Sequence, residues 1–227
     1  MNALNFSSNE SDLKILKQFL TKKEVNEFVS LLGKNSVTKM GENYITKKHT
    51  LHNESFCLKE YESIFTEKLK SFLDFENYYF SENFYLKYNS KSAGTNPHID
   101  GFNGVNEKNL YNIWINLYSY ENISKLMILK DSSKLSVKNI NDPSNKLVEY
   151  LEINNKKIQS DFSSISESTD LPWYQFELSS GDAVFFNSNY IHGTVPNKSN
   201  FLRISLDFRF SLTPLKSVYS DYGVRYF

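Results

Sequence analysis

The sequence predicts an α+β domain, with a helical first third followed by short strands that close into a β-sandwich or barrel. Three observations point there. Residues 1–75 carry apolar stripes at helical spacing, with capping residues in front of them. From about residue 78 the hydrophobic period falls to two. Strand-like segments then recur in series up to residue 210, the pattern expected of a layered β architecture with helices segregated to one side.

In chain order, Ser8 to Asp12 offers several caps ahead of Leu13, Ile15, Leu16, Phe19 and Leu20, which reads as a first helix. Thr21 with Glu24 has capping-box spacing and opens a second helix with Val25, Phe28, Val29 and Leu32 on one face, stopped at Gly33. A third helix is predicted from about Ser55 to Leu73, striped by Leu58, Tyr61, Ile64, Phe65, Leu69 and Phe72. Strands are predicted at Phe80 to Tyr88, Tyr111 to Tyr120, Leu126 to Leu129, Trp173 to Leu178, Ala183 to Phe186 and Phe201 to Phe210. Between Asp131 and Pro172 the chain is rich in Ser, Asn, Lys and Asp. It reads as either a disordered insertion or a functional lid, with a short helix near Lys146 to Leu151. No internal repeat is visible. The whole chain, 1–227, is expected to form one domain, with a C-terminal tail over 211–227.

Composition narrows the function classes. The chain has 227 residues, enough to bury roughly 70% of its unfolded surface without covalent staples. Lys+Arg and Asp+Glu both count 26, so the formal charge is zero, which argues against a dedicated nucleic-acid binder. A single cysteine, Cys57, excludes an internal disulfide and a cysteine-rich zinc site. No secretory signal and no run of about 18 apolar residues is present, so the expectation is a cytoplasmic protein with no membrane segment.

Few residues can carry chemistry. Of four histidines, His49 and His52 lie in a polar stretch and read as surface residues. His98 and Asp100 stand two apart in Asn96-Pro97-His98-Ile99-Asp100-Gly101, so on a strand both face the same way. Alone they read equally well as a turn histidine beside a capping aspartate. His192 follows the Ala183 to Phe186 strand and alone reads as a buried, hydrogen-bonded histidine. Together the three offer two neutral nitrogens and one carboxylate, the facial donor set that suits Fe(II) and leaves positions open. The segment Phe201 to Phe210 alternates almost perfectly. Ile204, Leu206, Phe208 and Phe210 form one face, and Arg203, Ser205, Asp207 and Arg209 the other. The polar face is either an ordinary solvated surface or the inside of a barrel that holds a charged ligand. Arg203 beside the Ser205 hydroxyl would make a carboxylate clamp.

These residues resemble the Fe(II)/2-oxoglutarate-dependent dioxygenases over roughly residues 84 to 210. The likeness rests on His98-x-Asp100, the approach Leu86-Lys87-Tyr88, the Gly181-Asp182-Ala183-Val184-Phe185-Phe186 strand leading to His192-Gly193, and Arg203-Ile204-Ser205 eleven residues past His192. The last strand looks most like the phytanoyl-CoA dioxygenase-like branch. The resemblance implies a double-stranded β-helix, a jelly-roll or cupin-like fold, with the N-terminal helices packed outside. It implies Fe(II), 2-oxoglutarate and O₂ as cofactors, with His98, Asp100 and His192 holding the metal. Arg203 and Ser205, with Tyr88, would hold 2-oxoglutarate. Asn112, Trp114, Asn116 and Arg209 are the expected pocket residues.

The implied reaction converts 2-oxoglutarate and O₂ to succinate and CO₂ and oxidises a C–H of a small polar metabolite. Enzymes that tailor sugars or nucleotide-activated sugars look nearest, and amino-acid hydroxylases come next. Arg203 and Arg209 also form an Arg-x5-Arg pair like that of AlkB-type nucleic-acid demethylases, which would need a basic groove and a flipped-base pocket. An iron-free jelly-roll epimerase or binding module is the remaining alternative.

Overall fold

The structure is a computed structural model. It describes residues 3–5, 12–32, 51–57, 61–76, 78–80, 83–89, 94–100, 110–119, 123–141, 148–196 and 203–212. Three sheets and three helices organise these residues.

The larger sheet contains β2 (Leu13–Leu16), β13 (Ala183–Asn187), β7 (Leu110–Tyr118), β15 (Arg203–Ser211), β5 (Asn83–Asn89) and β3 (Leu51–Cys57), in that spatial order, with β4 (Tyr79–Phe80) also on β15. The second sheet runs β1 (Ala3–Asn5), β12 (Trp173–Glu177), β8 (Ile123–Leu129), β14 (His192–Thr194) and β6 (Thr95–His98). A small sheet of β11 (Lys156–Gln159), β10 (Val148–Ile153) and β9 (Val137–Asn141) forms a separate ladder among the described residues.

The period of two sorts side chains into layers. On β7, Ile113, Ile115 and Leu117 enter one core while Trp114 enters another. On β13, Ala183 and Phe185 go to the first core and Val184 and Phe186 to the second. The first core lies between the larger sheet and the helices α1 (Lys22–Leu32) and α2 (Glu62–Phe72). There Phe65 of α2 meets Phe208 of β15 with ring centroids 4.5 Å apart. The second core fills the space between the two main sheets. A third core lies behind β8 and β12, where Met127, Leu129 and Trp173 meet Leu151, Ile153, Ile158 and Ile165. The architecture is thus a jelly-roll sandwich with a helical layer on one outer face and a small sheet on the other.

The predicted capping box forms. Thr21 N–H donates to Glu24 Oε2 at 2.7 Å, and Glu24 N–H donates back to Thr21 Oγ1 at 3.3 Å. Gly181 turns the chain into β13 with φ +90°, and a Cβ there would lie 2.3 Å from the Leu20 carbonyl oxygen. Only glycine fits both demands.

Several expectations need correction. Leu13–Leu16 is a strand paired with β13, not a helix. Leu13 and Leu16 fit helical spacing while Leu13 and Ile15 fit the strand period, and pairing with β13 decided between them. The third helix begins at Glu62, because Leu51–Cys57 is drawn into the sheet beside β5. Much of 131–172 is ordered as β9 to β11 and α3 (Phe162–Thr169), and Val148–Ile153 is a strand where a short helix was expected. Its sparse apolar residues are enough to build the third core, so the polar composition misled. Asp161 caps α3 by accepting from the N–H groups of Ser163 and Ser164 at 2.9 and 2.8 Å. Gly33, His49 and the tail beyond 212 lie outside the described residues, as does the His52 side chain. Among the described residues, no helix is long and apolar enough to cross a membrane.

Candidate metal centre

β6 and β14 pair antiparallel, with His98 directly opposite His192. Their rings sit 4.4 Å apart by centroid. Asp100 follows two residues after His98 and is only 4% exposed. Its backbone N–H donates to the Ser188 carbonyl at 3.1 Å, which fixes the chain where β6 ends.

Each imidazole is oriented in the same way. His98 Nδ1 donates to the Asn96 carbonyl at 2.7 Å, and His192 Nδ1 donates to the Tyr190 carbonyl at 3.0 Å. A carbonyl can only accept, so both Nδ1 atoms carry the hydrogen and both Nε2 lone pairs are left for a cation. His192 Nε2 lies 3.2 Å from Asp100 Oδ2, and His98 Nε2 lies 3.8 Å from Oδ1. The ligand atoms of all three residues fall within 4.8 Å of one another. Neighbouring ligands of an ion bound at roughly 2.1 Å stand about 3 Å apart, so small side-chain movements close these residues on a metal. The donor set is the two-histidine, one-carboxylate type that suits Fe(II).

Asp100 is held from both sides. Asn112 Nδ2 donates to Oδ2 at 2.7 Å, and an Arg209 NH2 donates to Oδ1 at 2.5 Å. Burial pushes the Asp100 carboxyl up. The Arg209 charge, followed by His192 and His98, outweighs it and holds the carboxyl well below its ordinary 3.8. The group is therefore ionised and oriented before a metal arrives.

A cleft opens over these three residues. The polar face of β15 lines it with Arg203, Ser205, Asp207 and Arg209, joined by Asn112 and Trp114 of β7. Arg203 is 5% exposed, and one of its terminal nitrogens is buried with no hydrogen-bond partner among the described residues. Burial pushes its guanidinium down to about 10, so it is still a cation at neutral pH. A buried cation that faces a cleft with a donor left unpaired among the described residues favours an anion there.

Not every expected residue reaches the cleft. Asn116 is fully buried elsewhere. Its Nδ2 donates to the Leu178 carbonyl at 2.9 Å and to Ser119 Oγ at 3.0 Å, tying β7 to the turn before β13. Asn116 stays in register opposite Ser205, and these hydrogen bonds turn its carboxamide to the chain around Leu178 and Ser119. Tyr88 lies opposite Ile204 on β5, while Lys87 is the partner of Ser205; the side chains of both lie outside the described residues. Arg209 lines the cleft and donates to Asp100. Thr95, Leu126, Phe186, Thr194 and Asp207 also line the cleft and were not singled out from the sequence. For Asp207 the signal was present, since it shares a strand face with Arg203. Thr194, two residues after His192, had the same kind of signal.

The model of the family described as phytanoyl-CoA dioxygenase matches residues 13–205. The chain belongs to this family. It is therefore an Fe(II)/2-oxoglutarate-dependent oxygenase, with Fe(II), 2-oxoglutarate and O₂ as its cofactors. Solved structures share the fold. EvdO2 from Micromonospora carbonacea var. aurantiaca aligns with TM-score 0.57 at 15% identity, covering 92% of each chain. HygX from Streptomyces hygroscopicus, solved with nickel and 2-oxoglutarate bound, aligns with TM-score 0.55 at 13% identity over 88% of this chain and 82% of its own. The viral collagen prolyl hydroxylase vCPH from Paramecium Bursaria Chlorella virus-1, a 2OG complex, aligns with TM-score 0.51 at 13% identity over 88% and 94%. Like this family member, they have the double-stranded β-helix. No match is found among curated proteins.

Proposed function

We propose that His98, Asp100 and His192 hold Fe(II), that Arg203 and Ser205 hold the far carboxylate of 2-oxoglutarate, and that the substrate is a small polar metabolite, a sugar or nucleotide-activated sugar. The observation that carries this is the meeting of three potential ligand atoms within 4.8 Å in the cleft that also holds the buried Arg203, one terminal nitrogen of which has no partner among the described residues.

Bound Fe(II), with 2-oxoglutarate and O₂, supplies an oxidative decarboxylation to succinate and CO₂ coupled to oxidation of a substrate C–H. The protein's own residues prepare the site for it. The two Nδ1 hydrogen bonds fix which nitrogen each histidine offers. Arg209 and Asn112 hold Asp100 ionised and leave it little rotation. Arg203, buried and with one terminal nitrogen unpartnered among the described residues, gives a strong charge-assisted site for a carboxylate, and Ser205 adds a hydroxyl donor on the same strand face. Leu126 and Phe186 present apolar surface on the cleft wall and help keep water from the centre. Trp114 offers a flat aromatic face, and Thr95, Thr194 and Asp207 offer hydrogen-bonding groups. That combination supports a polyhydroxylated substrate over a long acyl chain.

The test is anaerobic addition of Fe(II) and then 2-oxoglutarate to the purified protein, followed by visible absorption. A charge-transfer band is expected, lost in His98→Ala and weakened in Arg203→Ala. A wild-type protein that binds iron yet keeps the same band in His98→Ala would sink the ligand assignment. Succinate release across a panel of sugars, nucleotide sugars and amino acids then tests the substrate class. Turnover with amino acids alone would overturn the sugar reading.

A further inference from the structure

The segment between the two ligands of the His98-x-Asp100 pair is gripped from behind by the insertion. β6 is the end strand of its sheet, and β14 is its strand partner there. Its register with β14 runs only from Thr95 to His98, so Ile99 lies past the end of the ladder. A single side chain meets the backbone of Ile99 instead. Ile99 N–H donates to Asn139 Oδ1 at 3.1 Å, and Asn139 Nδ2 donates to the Ile99 carbonyl at 2.6 Å. A carboxamide carries a donor and an acceptor in one plane, as a peptide unit does. Asn139 therefore does for Ile99 what a neighbouring strand would do, and it covers part of an otherwise open sheet edge.

Further contacts from the insertion reach the same segment. Ser160 Oγ donates to the Pro97 carbonyl. The Ile99 side chain is 7% exposed and belongs to the third core with Leu151, Ile153 and Ile158. Ile99 is thus fixed by backbone and side chain on the insertion side, while His98 and Asp100 turn to the cleft.

We propose that Asn139 is a positioning residue that sets the spacing of His98 and Asp100, and that the insertion of β9 to β11 and α3 is a buttress for the metal site. This rests on the ligand assignment proposed above. The torsions at Ile99 set the separation of the two ligand side chains. Losing the two-point clamp frees those torsions, so metal binding must then order them. Partners one shell outside a ligand set commonly change metal affinity by about 10–100-fold, and about tenfold is expected here.

The experiment is a Co(II) titration of the metal-free protein, read by d–d absorption, beside its thermal unfolding. The variants are Asn139→Ala, Asn139→Asp and Ile165→Val. Asn139→Asp keeps the shape and the acceptor but loses the donor, and it supplies the measurement if the alanine variant does not fold. Ile165→Val trims the third core without touching Ile99's backbone clamp. Co(II) affinity should fall about tenfold in the Asn139 variants and stay at the wild-type value in Ile165→Val, even where Ile165→Val unfolds at a lower temperature. Wild-type affinity in the Asn139 variants overturns the proposal. So does a weakening that simply follows the loss of thermal stability across all three. A wild-type Co(II) spectrum that survives His98→Ala would overturn the ligand assignment itself, an outcome read on a different protein.

Discussion

Arg209 donates to Oδ1 of Asp100 across 2.5 Å, reaching from β15 of the larger sheet to the end of β6 in the second. The bond spans the sandwich and joins the polar face of β15 to the proposed metal site. It separates the two arginines of that face. Arg209 donates to Asp100, and Arg203, six residues earlier, is the proposed holder of a carboxylate.

The first prediction concerns pH. Burial pushes Asp100 up, and Arg209 is the first of the causes that bring it well below 3.8. A carboxyl depressed in the folded state adds stability above its unfolded value, and that stability is lost as pH falls through the folded value. Arg209→Met leaves burial unopposed by its largest counterweight. Breaking such a buried pair costs about 3–5 kcal/mol. The metal-free variant should therefore unfold well below the wild type at neutral pH, and the gap should close as pH falls below about 3.8. Thermal melts across pH measure it, and a gap independent of pH counts against the pairing.

Arg203→Met is expected to act in opposite directions on the free and liganded protein. It removes a buried cation with an unpartnered nitrogen, so the ligand-free protein should melt at the same or a higher temperature. Charge-assisted hydrogen bonds contribute about 1.5–3 kcal/mol, so 2-oxoglutarate affinity should fall roughly 10- to 150-fold. Calorimetric titration with 2-oxoglutarate decides it. Unchanged affinity would remove Arg203 from the site.

At Gly193, β14 passes close to the backbone of β6. A Cβ there would stand 2.7 Å from the Thr95 carbonyl oxygen and 3.1 Å from both Pro97 N and the Phe162 ring. Two of these are backbone atoms of the ligand strand and cannot swing aside. Gly193→Ala should push β6 from β14, part His98 from His192 and weaken Co(II) binding. Full affinity in a folded variant would show that the strands can give.

Phe65 ties α2 to the outer face of β15 through Phe208. It is fully buried. Phe65→Ala should lower stability by about 3–5 kcal/mol in urea unfolding. A loss under 1 kcal/mol would mean that the helical layer contributes little to holding β15.

Much of the site was legible because it lies on strands whose alternation is written locally. Arg203, Ser205, Asp207 and Arg209 share one face of β15 as their spacing requires, and all four line the cleft. His98 and Asp100, two apart, point the same way, and pairing with β14 brings His192 beside them. Where local pattern was ambiguous or a side chain found partners elsewhere, the reading failed. Leu13–Leu16 fits two periods, and hydrogen bonds to Leu178 and Ser119 draw Asn116 away from the cleft.

The alternating faces of β15, the capping box at Thr21 and Glu24, and the candidate residues for a metal and an anion follow from the sequence. Each depends on spacings of two to four residues, which backbone geometry turns directly into direction. The tertiary structure alone decided the partner of Arg209, the order in the polar insertion and the hold of Asn139 on Ile99. Those contacts join residues 109 and 40 positions apart. No local period carries such a pairing, because it exists only once two sheets and an insertion have packed and excluded water from between them.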